Sequence, residues 1–117
     1  MKQDKVDKTI VFRVNNNLKK EFSDFCKRRG ISTSRAFRLF ILKFLKGSVK
    51  PQISTANLLY SGKSSSMGFR ISADTYAEFD QKCRILHIPV SGVFCNFMLN
   101  CIEQKDFPFD IYAMDAE

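Results

Sequence analysis

The chain has 117 residues, 44% of them apolar and 26% charged, with 19 Lys and Arg against 12 Asp and Glu and a formal charge of +7. That balance belongs to an ordered chain of one domain, too short for a barrel enzyme or for a dinucleotide fold carrying a substrate domain. No apolar run approaches a membrane span and no signal peptide is evident, so no membrane insertion and a cytoplasmic location are expected.

The charge is uneven. Residues 1–50 carry a net +10 and residues 51–117 a net −3. A polyanion partner for the first half explains this, and so does a plain solvated basic surface. The first predicted element is a half-buried strand over residues 9–14, where Ile10, Phe12 and Val14 alternate with Thr9, Val11 and Arg13. A helix follows, with Asn15 as its N-cap and Leu18, Phe22, Phe25 and Cys26 on one face. Gly30 suits the left-handed position at its end. Ser32 then caps a second helix, whose apolar stripe is Ala36, Phe37, Phe40, Ile41, Phe44 and Leu45.

After a linker at 47–64 the same grammar returns. A shift of 57 residues aligns Phe12–Leu45 with Phe69–Ile102 without a gap, and ten of the 34 positions are identical. Self-similarity at a fixed period signals repeated supersecondary units. The second strand covers 66–71, with Met67, Phe69 and Ile71 facing inward. Gly68 either weakens this strand or marks a close backbone approach. Ser72 caps the third helix, which presents Tyr76, Phe79, Cys83 and Leu86. His87, the chain's one histidine, stands where Gly30 stands and reads as a helix-end residue rather than a catalytic one. Pro89 opens the fourth helix, with Val93, Phe94, Phe97, Met98, Cys101 and Ile102 as its stripe. Cys26, Cys83, Cys95 and Cys101 lack metal-ligand spacing and read as small reduced hydrophobes, so neither metal nor cofactor is expected.

Repeat 1 spans 8–46 and repeat 2 spans 65–104. Each is too small to bury enough apolar surface alone, and a lone strand leaves its backbone unpaired. Pairing the two strands antiparallel solves both problems and gives one domain, a pseudo-twofold dimer inside one chain. The linker, about 20–25 Å in r.m.s. reach, permits it, and its Leu58, Leu59 and Tyr60 are candidates to pack on the domain. The acidic aromatic tail at 105–117 either covers the helical side or docks a partner.

Strand–helix–helix, with FRV or FRI closing the strand and GISTS opening the second helix, resembles the ribbon-helix-helix (MetJ/Arc-like) superfamily. Two units in one chain resemble its single-chain tandem form, found in conjugation proteins and in a virulence-plasmid overdrive-binding protein. The resemblance implies a mostly α fold with a two-stranded antiparallel ribbon that enters the major groove of double-stranded DNA. Thr9, Val11 and Arg13, with Ser66, Gly68 and Arg70, then face the bases. Arg13 and Arg70 can each donate two hydrogen bonds to guanine; bonds to phosphate are the plainer alternative. Ser32, Thr33, Ser34, Val90 and Ser91 lie at helix N-termini suited to phosphates, and the arm with Lys2, Lys5 and Lys8 reaches the same backbone. Val11, Gly68, His87 and Pro89 depart from the usual pattern.

No catalytic equipment stands out. SGKSSS at 61–66 hints at a phosphate loop, but its first glycine would fall at Asn57, so the pattern fails. An accessory protein of plasmid or conjugative DNA transfer, touching a relaxase or another protein through its tail, and a transcriptional regulator both fit, each binding in one or several copies. The alternative is an antitoxin-like protein-interaction module without specific DNA binding.

Overall fold

The computed structural model describes residues 7–49 and 62–111. In chain order the elements are β1 (Asp7–Asn15), α1 (Asn16–Arg28), α2 (Thr33–Leu45), β2 (Ser64–Ser72), α3 (Ala73–Ile85) and α4 (Val90–Gln104). Together they form a small α/β domain with one two-stranded antiparallel sheet and four helices. Among the described residues no single helix is long and apolar enough to cross a membrane. Leu58, Leu59 and Tyr60 lie outside the described residues, as do Lys2 and Lys5 and the tail beyond residue 111.

Both strands run beyond the apolar alternation that predicts them. Alternation predicts 9–14 and 66–71; the ladder runs from Asp7↔Ser72 to Asn15↔Ser64. The ladder is made by backbone groups, so polar residues extend it wherever a partner strand is present. Ser64, placed in the linker by sequence, therefore belongs to β2. The register also sets Val11 opposite Gly68, residues that occupy the same place in the two repeats. Every pair on one side of this point has its repeat counterpart on the other, as Thr9↔Arg70 has Arg13↔Ser66.

The glycine at this centre marks a close approach. A Cβ on Gly68 would stand 2.9 Å from the Ile10 carbonyl oxygen, inside van der Waals contact.

Helix ends follow their local chemistry. Asn15 Oδ1 accepts from the N–H groups of Asn17 (2.8 Å) and Leu18 (3.2 Å). Ser32 Oγ accepts from the Arg35 N–H and Ser72 Oγ from that of Thr75. Pro89 occupies the corresponding cap of α4 without a side-chain hydrogen bond. At the end of α1, Gly30 has φ +71°, and the N–H groups of Gly30 and Ile31 donate to Lys27 and Cys26. The end of α3 repeats this with His87 at φ +59°, where its N–H and that of Ile88 donate to Arg84 and Cys83. This closes the helix by the Schellman pattern. The backbone of His87, not its imidazole, does the capping.

The core lies under the sheet, where Ile10, Phe12, Val14, Met67, Phe69 and Ile71 meet buried residues from all four helices. Phenylalanine rings from both halves interleave. Phe37 and Phe94 contact edge-on at 5.5 Å, and Phe40 stacks on Phe97 at 4.3 Å. Ring contacts recur in pairs: Phe12–Phe37 at 5.5 Å matches Phe69–Phe94 at 5.4 Å, and Phe12–Phe94 at 4.9 Å matches Phe37–Phe69 at 5.1 Å. The predicted stripes are buried except at their edges. Tyr76, Leu45 and Ile102 are half-buried, and Leu86 is 43% exposed. Leu86 caps α3 and has left the helix, so helical periodicity no longer aims it at the core.

All four cysteines are free thiols; Cys26, Cys83 and Cys101 are buried and Cys95 is half-buried. Burial raises each thiol pKa, that of Cys26 to about 12 and that of Cys83 to about 11.

Two outcomes follow from this packing. Gly68→Ala lowers the unfolding free energy by about 1–3 kcal/mol, since the added methyl cannot enter without shifting backbone; urea denaturation measures it. Stability also falls as pH rises past about 9. There the unfolded chain releases its thiol protons while the folded chain keeps them, so alkali favours unfolding. Unfolding midpoints at pH 7, 9 and 10 check the sign.

Candidate nucleic-acid interface

With one face of the two-stranded sheet packed on the helices, the other meets solvent. Strand alternation therefore presents Thr9, Val11 and Arg13 of β1 beside Ser66, Gly68 and Arg70 of β2, all exposed. Antiparallel pairing brings these six residues, taken from chain segments far apart, onto one narrow strip. Its rows are Thr9 with Arg70, Val11 with Gly68, and Arg13 with Ser66. Val11 is 61% exposed because Gly68 offers no side chain to cover it. The middle of the strip is thus one isopropyl group, with an arginine on either side.

The two arginines are held lightly. The Arg13 guanidinium donates to the Ser64 carbonyl at 3.0 Å and to its hydroxyl at 3.1 Å. The Arg70 guanidinium lies 4.0 Å from the Asp7 carboxylate, with both side chains more than half exposed. Exposed pairs of this kind contribute little to stability, so both guanidinium groups are available to a ligand.

Two further cations, not singled out by sequence, brace the strip from behind. Lys19 of α1 donates to the Ser66 carbonyl at 2.9 Å, and Arg38 of α2 donates to the Arg70 carbonyl at 3.3 Å. They satisfy carbonyls of β2, a strand that has a neighbour on one side only. Their repeat counterparts are Tyr76 and Cys95, so the bracing is not duplicated. No local pattern in α1 or α2 marks them, because their carbonyl partners lie across the fold.

The phosphate candidates fall in several places. Ser32 and Ser91 are exposed, while Thr33, Ser34 and Val90 are half-buried at the first turns of α2 and α4. Arg38 sets the N-terminal half of α2 beside the Thr9–Arg70 end of the strip. Lys8 is in phase with Ile10 and Phe12, not with the outward strip, and its ammonium sits 5.2 Å over the Tyr76 ring. It is exposed at the margin of the sheet, on the helical side.

The described part of the tail packs against its own chain. Phe107 lies 5.0 Å from Phe25, Phe109 stacks on Phe97 at 5.9 Å, and Ile111 is buried. Arg29 locks this arrangement by an ion pair with Asp106 at 2.9 Å and a hydrogen bond to the Lys105 carbonyl. Of the two roles open to the tail, residues 107–111 take that of a cover. Beside it, a cleft of about 430 Å³ between α1 and the end of α4 is bordered by Glu21, Asp24, Arg28 and Arg29.

Ser32 has a structural duty apart from any ligand. Ser32→Ala removes the cap of α2 and lowers stability by about 1 kcal/mol in urea unfolding, whereas Ser91→Ala, which caps nothing, leaves it within about 0.5 kcal/mol. Set against family models, curated proteins and solved structures, the chain matches none of them.

Proposed function

We propose that the chain is a tandem ribbon-helix-helix protein, a pseudo-dimer within one chain, that binds double-stranded DNA sequence-specifically by laying its ribbon in the major groove. The observation that carries this reading is the register centred on Val11 and Gly68. It sends Arg13 and Arg70 out on one face at matching distances from the centre. A two-stranded ribbon is of a size that the major groove admits, and arginine paired with guanine O6 and N7 is the commonest specific contact there. Thr9 and Ser66 bond either base type, and Val11 meets a thymine methyl.

The remaining chemistry fits the same partner. The first turns of α2 and α4 carry free N–H groups and the positive ends of their helix dipoles, which hold phosphates and set register without reading sequence. Ser32, Thr33 and Ser34 add hydroxyl donors in α2, as Ser91 does in α4. The +10 charge of residues 1–50 supplies the long-range attraction. The protein acts by binding, with no chemical step. Its use is as an accessory factor of plasmid DNA transfer or as a transcriptional regulator, working in the cytoplasm.

Two measurements test this. Replacing Arg13 and Arg70 together by Ala abolishes binding to a selected duplex in a gel-shift assay while the helical circular dichroism persists; undiminished affinity overturns the assignment of the ribbon. Affinity of the unaltered protein falls steeply between 50 and 200 mM salt, as expected where basic side chains displace the counterions condensed on DNA phosphates.

A further inference from the structure

We propose that Asp7 makes the two ends of the ribbon read different base pairs, so that the target of this protein has one strict and one permissive half. The inference rests on the DNA-binding reading above and adds to it a specificity-determining residue. Under the 57-residue offset of the repeats, the counterpart of Asp7 is Ser64. The register places the two at opposite ends of the outward face, Asp7 across from Ser72 and Ser64 across from Asn15. Each stands beside an outward arginine of the other strand. The Arg70 guanidinium has a carboxylate 4.0 Å away, whereas the Arg13 guanidinium has a hydroxyl at 3.1 Å and a carbonyl at 3.0 Å. The companion of the arginine is thus an anion at one end and a neutral group at the other.

These companions differ in what they ask of a base. An ionised carboxylate only accepts hydrogen bonds. In the major groove it finds donors on cytosine N4 and adenine N6, and meets like polarity at guanine O6 and N7 and at thymine O4. A serine hydroxyl donates or accepts and discriminates little. Asp7 and Arg70 are 53% and 69% exposed, so both heads reach a groove together. Arg70 takes a guanine, and Asp7 takes an amino-bearing base, cytosine first, next to it. At the other end Arg13 takes its guanine while Ser64 accepts any neighbour. The carboxylate also offsets the charge of Arg70, which leaves phosphate attraction weaker at that end.

Selection of bound sequences from random duplexes by the full chain, repeated with Asp7→Ser and with Ser64→Asp, tests this. The unaltered protein is expected to return an asymmetric site, with a preference of about fivefold or more for cytosine or adenine beside one guanine only. Asp7→Ser drops that preference below about twofold and makes the halves alike; Ser64→Asp installs it in the second half. A selected site whose base preferences are the same in all three proteins overturns the role of Asp7 and leaves the DNA-binding reading standing. Failure of the unaltered protein to select any sequence overturns both.

Discussion

Neither strand of this protein is viable without the other. A nine-residue strand on its own leaves its whole ladder of backbone groups without strand partners and its apolar face open to water. β1 and β2 have no other strand to pair with in the described residues, so each is the sole remedy for the other. The antiparallel pairing then dictates which residues share a face. It places six side-chain positions on an outward strip and directs Ile10, Phe12, Val14, Met67, Phe69 and Ile71 at the helices.

The core shows why pairing of strands entails pairing of halves. The Phe37 ring touches Phe12 and Phe22 of its own repeat and Phe69, Phe94 and Phe97 of the other. α1 lies against α4, and Lys82 of α3 donates to the Phe44 carbonyl at the end of α2. Interleaving of this sort leaves no plane along which the domain divides without exposing aromatic surface. Flat rings suit it, since edge-on and stacked contacts at 4.3–6.5 Å fill a shared centre from several directions.

Much of this was written in local patterns. Alternation at Ile10, Phe12 and Val14, the caps Asn15, Ser32 and Ser72, and the glycine after α1 each depend on neighbours within a few residues. Features set by distant neighbours were not legible. Lys19 and Arg38 find their carbonyl partners across the fold, and no spacing within α1 or α2 announces it. The strand ends at Asp7 and Ser64 depend on whether a partner strand is present, which alternation does not encode. Leu86 continues the apolar spacing of α3 although the helix has already ended. At Gly68 the sequence alone admits two readings, because the close approach of Ile10 is a property of the pairing and not of β2. The outward strip was legible as a face because strand alternation is local; the unlike companions of its two arginines emerge only once the register is known.

The ladder joining Asp7 to Ser72 also has a consequence for how the molecule is made. During synthesis β1 emerges first and waits through more than fifty further residues for its partner. For that interval the nascent first half carries an exposed strand edge and a set of unburied phenylalanines. Two such nascent halves on neighbouring ribosomes present each other with the surface that each will later receive from its own chain. The tether decides the competition. A linker of this length holds the second strand at an effective concentration near the millimolar range, far above that of any neighbouring chain, so joining the halves favours self-closure over exchange between molecules.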